Sequence, residues 1–293
     1  MNNHTSLTGA APYTEYGIRI THHASRSSPI AIFDSGVGGL SVLTHIRERL
    51  PGENLLYLAD QAHVPYGPRT HAEIIQFSEG ITRFFLAQEA KAIVVACNRA
   101  SAAALTPLRA RFPNVPFVGM EPAVKPAAQH TKTGKVGVLA TVGTLESERY
   151  ASLMARYAQD VTVWEDPCVG LVELIEAGQT DTPETEQFLR RTLAPMLANG
   201  VDTLVLGCTH YPFIRPLLHH IAPYLTIIDP APAVAGQTHR VLQQANLLST
   251  ATSNGQIRLI TTGPAAPLAQ LAQRLMGYGA EVGTAVWQGG VIK

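Results

Sequence analysis

Cysteine is scarce in this chain. Three occur in 293 residues: Cys97, Cys168 and Cys208. An odd, sparse set is not a disulfide framework. A chain of this length can instead rely on a sizeable core, in one large domain or two compact ones. Charge is also thin. Charged residues make up 15% of the chain, and Lys plus Arg balances Asp plus Glu. No Lys/Arg cluster reaches the density that direct nucleic-acid binding needs; the basic passage at Arg190-Arg191 is short. A basic membrane-surface helix is missing, and no apolar run is long enough to suggest a transmembrane helix. Residues 1–28 are rich in Thr, Ser, His and Gly and lack the continuous apolar segment of a secretory signal. They read as a disordered extension, and the chain as a cytoplasmic protein with reduced thiols and no membrane partner.

What is present is an alternation. Short apolar runs at 30–33, 55–58, 93–96, 115–118, 136–139, 204–206, 227–228 and 259–260 are bounded by Gly, Pro or Asp. Runs of this kind read as strands buried on both faces. Between them, 40–50, 74–89, 101–111, 147–157 and 183–198 have helical composition. Strand alternating with helix predicts an α/β protein with mainly parallel, doubly wound sheets. The passages IVVACNRAS and LVLGCTHYP share one layout: apolar strand, small residue, Cys, polar side chain. This weak repeat predicts two pseudo-symmetric domains facing one another across a cleft. One comprises about residues 29–121 with 229–293 returning to it, and the other 122–228. Pro122 and Pro126, and Pro230 and Pro232, fit linkers at the crossings.

Ligands of open parallel sheets gather beyond the carboxyl ends of the strands. That rule collects Asp34-Ser35, Asp60, Cys97-Asn98, the 141–144 passage and Cys208-Thr209-His210 at one edge. A thiol between a strand end and a helix start sits near backbone N–H groups, which favour the thiolate. Two such thiols on facing halves can remove a Cα proton on one face and deliver one on the other. The plain alternative is a pair of small buried core residues. Asp34 opens DSGVGG, where it can orient or deprotonate a thiol, or cap a helix. Gly36, Gly38 and Gly39 permit a tight turn and close approach of backbone to an anion. The spacing is not the dinucleotide fingerprint. His210 can partner a thiol. A zinc site built from Cys97, Cys168, Cys208 and His210 lacks a familiar ligand spacing, so no metal is expected.

In order, FDSGVGGLSV, YLADQAHVPYGPRT, ACNRASA, VGMEPAVKPA, GVLATVGTLESERY, CVGLVELIEAG, LGCTHYPFI and IDPA resemble glutamate racemase, of the aspartate/glutamate racemase superfamily. The resemblance spans about residues 30–231. It implies two pseudo-symmetric α/β domains with the site between them. It also implies L- and D-glutamate interconversion without a cofactor or metal, a D-isomer feeding peptidoglycan, and a homodimer. By motif match, Cys97 and Cys208 are the proton-transfer residues, assisted by Asp34 and His210 respectively. Asp34, Ser35, Tyr66, Gly67, Asn98, Thr209 and His210 fall on substrate-contacting positions. Thr141, Thr144 and Glu176 match polar positions near them.

One position departs. The family usually carries Thr after the Asn; here it is Arg99. Three placements are open: out into solvent, gripping a substrate carboxylate bidentately, or filling the pocket. Arg99 therefore keeps two other readings alive. One is a related racemase acting on aspartate or hydantoin, and the other a low-activity, racemase-like binding or regulatory protein.

Overall fold

The computed structural model describes residues 24–277 and 279–293. Most of the expected extension, residues 1–23, lies outside them. Residues 24–28 are fastened to the body: Asn54 Nδ2 donates to the Ser27 carbonyl at 3.0 Å, and Lys91 Nζ bonds the Arg26 carbonyl.

The strands are β1 (Ile30–Asp34), β2 (Leu55–Ala59), β3 (Ala92–Val95), β4 (Phe117–Val118), β5 (Lys135–Leu139), β6 (Thr162–Asp166), β7 (Thr203–Leu206), β8 (Thr226–Ile228), β9 (Ile257–Thr261), β10 (Glu281–Thr284), β11 (Trp287–Gln288) and β12 (Val291–Ile292). The helices are α1 (Leu40–Arg49), α2 (His71–Ala87), α3 (Asn98–Arg111), α4 (Val124–His130), α5 (Val142–Leu145), α6 (Glu148–Tyr157), α7 (Leu171–Glu176), α8 (Pro183–Ala198), α9 (Arg215–Ile221), α10 (Ala231–Gln244) and α11 (Ala265–Met276). Two parallel sheets result. One has six strands in the order β10-β9-β2-β1-β3-β4, the other four in the order β6-β5-β7-β8. β11 and β12 form a separate antiparallel hairpin.

Both sheets are buried on two faces, as continuous apolar runs predict. In β1, Ile30 and Ile32 join one core with Tyr57 and Val94, while Ala31 and Phe33 join another with Leu58 and Val95. The smaller sheet repeats the pattern. Leu139 and Leu206 face one core, Val138 and Val205 the other. Each fully buried side chain of this size contributes roughly 1.5–3 kcal/mol. The crossing elements choose sides: Val124 and Ala127 of α4 pack into the smaller sheet's core, whereas Ala231 and Val234 of α10 pack against α1.

The strands of the two sheets without an apolar run, β6 and β10, each lie at one edge of their sheet. β6 and β10 are partly exposed along their lengths, so neither shows the signature of a doubly buried strand. Pro126 and Pro232, read as linker residues, sit in the first turns of α4 and α10. A first-turn proline gives up only an N–H that has no intrahelical partner anyway.

The strand orders place the site. In the larger sheet the chain winds outward in opposite directions from β1 and β3; in the smaller, from β5 and β7. Crevices at such switch points are where parallel sheets bind ligands. The two are built alike. Ala96 N donates to the Phe33 carbonyl at 2.8 Å, and Gly207 N to the Leu139 carbonyl at 2.7 Å. The next residues along the chain are Cys97 and Cys208.

Candidate active site

A cavity of about 500 Å³ lies between the two switch points. Ser35, Tyr66, Gly67, Cys97, Asn98 and Arg99 line it from the larger sheet's side. Thr141, Thr144, Cys208, Thr209 and His210 line it from the smaller sheet's side. Two of the expected residues, Asp34 and Glu176, are not on the wall but behind it. Gly143, inside the 141–144 passage, and Cys168, weighed only as a zinc ligand, also line the cavity; sequence reasoning missed Val169 and Gly170, which join them. Nothing in the immediate sequence of these last two marks them, because short segments from distant elements carry them there.

Asp34 ends β1 fully buried. Its Oδ2 accepts from Gly39 N at 2.8 Å and from Thr209 Oγ1 at 3.2 Å, so one carboxylate braces the start of α1 and the opposite half. Asp34 is not the N-cap of α1, which is Gly39; from the end of β1 it accepts that residue's N–H. Burial raises its pKa above the ordinary carboxylate range, against the pull of nearby His210 and a hydrogen bond with the Cys97 thiol.

Cys97 caps α3 with an extended backbone, φ −143° and ψ 122°. The helix-start location led to the expectation of a favoured thiolate; the structure reverses it. Burial pushes the Cys97 thiol well above its usual range and the Asp34 charge adds to that, outweighing the one favourable contact with the Ala100 N–H.

Cys208 has a different neighbour. Its Sγ lies 3.6 Å from His210 Nδ1, and His210 Nε2 lies 2.6 Å from Glu176 Oε1. Glu176 is anchored from the other half, accepting from Val37 N at 2.8 Å and Gln61 Nε2 at 3.3 Å. Burial disfavours a charged His210, but its bonds to Cys208 and Glu176 prevail and hold it well above its usual pKa. Burial raises Glu176, yet His210 and its other donors bring its carboxyl below the usual range.

The glycines of DSGVGG have a use other than cradling a ligand. A Cβ on Gly36 would collide with the Glu176 carboxylate. One on Gly38 would lie 2.5 Å from both His210 Nδ1 and Thr209 Oγ1. The anion brought close to this backbone is the protein's own Glu176.

Tyr66 is held by a carboxylate that sequence reasoning noted only as lying at the sheet edge. Tyr66 Oη donates to Asp60 Oδ2 at 2.7 Å. Asp60, fully buried, also engages His63, Thr262 Oγ1 and Trp287 Nε1 at 2.7–2.9 Å.

Arg99 neither extends into solvent nor offers a forked grip. Nη1 lies 2.8 Å from His71 Nε2, and Nη2 donates to the Arg69 carbonyl at 2.9 Å. Its Nε is buried without a partner, as are both polar atoms of the Asn98 amide. Among the described residues, no group of three His, Cys, Asp or Glu side chains is arranged to hold a metal ion. Cys168 is buried with a left-handed φ of 45°.

Residues 38–238 match the family model described as Asp/Glu/Hydantoin racemase. A glutamate racemase of Pseudomonas aeruginosa is 56% identical over 228 residues, covering 78% of this chain and 86% of that one. The chain belongs to this family, among the glutamate racemases. The racemase fold is shared with solved structures too. A glutamate racemase isoform of Bacillus anthracis superposes with a TM-score of 0.80 at 34% identity, over 91% of this chain and 99% of that one. The Escherichia coli glutamate racemase, solved with L-glutamate and the activator UDP-MurNAc-Ala, gives a TM-score of 0.76 at 34% identity over 87% and 97%. This chain is accordingly an amino-acid racemase.

Proposed function

We propose that this racemase interconverts L- and D-glutamate by 1,1-proton transfer between Cys97 and Cys208. The observation that carries the reading is the pair of thiols at matched switch points of two sheets, both lining one cavity. One sulfur, as thiolate, takes the Cα proton; the opposing thiol donates its own to the other face, and the centre inverts. Asp34 bonds the Cys97 thiol and assists its proton movements. His210, oriented by Glu176, does so for Cys208. Ser35, Tyr66-Gly67, Asn98-Arg99, Thr141, Thr144 and Thr209 surround the amino-acid substrate. The unpartnered Asn98 amide supports this, because a buried amide without partners gains most from a polar ligand. Asp34 and Glu176, behind the wall, act through the residues they hold.

In this reading residues 29–121 with 229–293 form one domain and 122–228 the other, with the site in their cleft. The protein works without a cofactor as a cytoplasmic homodimer that supplies D-glutamate for peptidoglycan. Among the described residues no helix is long and apolar enough to cross a membrane.

The test is incubation with L-glutamate in D2O, following loss of the Cα proton and of optical rotation. Racemisation with deuterium uptake is expected. Cys97→Ala and Cys208→Ala should each abolish racemisation, with proton exchange surviving at most from one side. Full racemisation in either variant refutes the two-thiol mechanism. Turnover of aspartate or a hydantoin in preference to glutamate refutes the substrate assignment.

A further inference from the structure

Arg99 and Gly143 meet where the two sheets' elements close over the cavity. Arg99 is the second residue of α3 beside the larger sheet, and Gly143 lies in the short helix α5 after β5 of the smaller one. A Cβ built on Gly143 would sit 2.6 Å from Arg99 Nε and 2.8 Å from the Gly67 carbonyl oxygen. Only a residue without a side chain admits so close an approach. Behind this contact, the two terminal nitrogens of Arg99 hold the entrance to α2, through the Arg69 carbonyl and the His71 ring. The His71 bond requires Nε2 to accept, since both partners cannot donate.

From this geometry we propose that Arg99 is a positioning residue that latches the mouth of the cavity. Its two hydrogen bonds fix the guanidinium against the 66–71 turn of its own half, where it bears on Gly143 of the other and closes the mouth over the thiols. The role depends on the planar fork, not on positive charge alone: Nη1 and Nη2 serve two separate acceptors while Nε stays beside Gly143, and a lysine ammonium does not reproduce that spread. Entry and release of an amino acid then require the Arg99–Gly143 contact to part. The inference rests on the racemase reading only for the identity of that amino acid.

The cavity thiols report on the latch directly. Cys97 and Cys208 are 6% and 8% exposed. Their alkylation by iodoacetamide, read peptide by peptide by mass spectrometry on the full-length protein, needs no turnover. The two bonds hold the side chain over the mouth, and losing an interaction of ~1.4 kcal/mol in total raises the open population about tenfold, so Arg99→Ala should alkylate about tenfold faster than wild type. Arg99→Lys should behave like Arg99→Ala. His71→Ala should shift the rate the same way, and combining it with Arg99→Ala should add nothing further. Gly143→Ala, whose new methyl displaces the guanidinium, is a second route to the same opening. With glutamate, Arg99→Ala should raise KM about tenfold while kcat moves less than about threefold. Alkylation at the wild-type rate in both Arg99→Ala and Gly143→Ala overturns the latch. So does Arg99→Lys matching wild type, which would leave charge as the whole effect. A gain in kcat/KM on Arg99→Thr also overturns it, marking Arg99 as an obstruction. If wild type alkylates as expected but leaves glutamate untouched, the substrate assignment fails and the latch stands.

Discussion

Cys97 and Cys208 end equivalent strands of two equivalent switch points, yet the groups behind them differ in kind. Cys97 is backed by the buried carboxyl of Asp34, and burial together with that carboxyl holds its thiol well above the usual pKa. Cys208 is backed by His210, whose positive form is sustained by Cys208 itself and by Glu176. One side therefore presents a buried carboxyl, the other an imidazole bound to a carboxylate. The pseudo-symmetry resides in the backbone, where the Ala96–Phe33 and Gly207–Leu139 bonds set equal positions. The asymmetry resides in side chains that each half borrows from the other: Thr209 reaches Asp34, and Val37 and Gln61 hold Glu176. Interconverting mirror-image substrates by the proposed proton transfer calls for an acid/base group on each face. It does not need two identical helpers.

Removing one helper at a time breaks this comparison most sharply. Asp34→Asn and His210→Asn should each lower racemisation by about 100-fold, the low end of what a positioned acid or base contributes. Deuterium exchange in D2O should fall mainly for one glutamate enantiomer in Asp34→Asn and mainly for the other in His210→Asn. Equal losses for both enantiomers in both variants would mean that the helpers are not specific to a side.

Stability against pH sharpens the same contrast. His210 has a raised pKa, so its contribution is complete below its unfolded value and is lost as pH rises through the folded one. Glu176 has a lowered pKa, so its contribution is present above the ordinary carboxylate range and is lost as pH falls through the folded value. Their bond stabilises between those limits. Glu176→Gln should cost about 2 kcal/mol near neutral pH, the scale of a hydrogen bond to a charged group. Urea denaturation across pH should show that deficit shrinking at both the acid and the alkaline ends. A deficit independent of pH would mean that packing, not the ion pair, is lost.

The smallest effect concerns Tyr66, which is held by Asp60 and not by either sulfur's helper. Trp287→Phe removes one of four donors to Asp60 and should cost about 1 kcal/mol in urea denaturation. Because Tyr66 Oη shares that carboxylate, KM should rise modestly with kcat nearly unchanged. No change in either would leave the hairpin β11–β12 outside the site's support.

Much of this was legible in the chain itself. Buried strands announce themselves as apolar runs, and helices that cross over them follow from the alternation. Cys97, Asp34, Cys208 and His210 stand where strands end, so position in the sequence implied position at the sheet edge. Edge strands β6 and β10 were not legible, because half-exposed strands carry no continuous apolar signal. The poise of Cys97 was misjudged for a related reason. A helix start is visible in sequence, but the burial and the Asp34 carboxyl that outweigh it come from packing. Gly36 and Gly38 were recognised as close-approach positions, while the group approaching them, from more than 130 residues away, was not.

By itself, the sequence determined the α/β class, the parallel sheets, the paired thiols and the neutral chain without a basic surface cluster. These follow from hydrophobic period and local residue type, which need no knowledge of what lies across the cleft. Tertiary structure decided the rest. It set Asp34 and Glu176 behind the wall instead of on it, turned Arg99 back upon Arg69 and His71, and brought Gly143 against that side chain. Those outcomes depend on desolvation and on contacts between segments far apart in the chain, and neither is a property of any local stretch of residues.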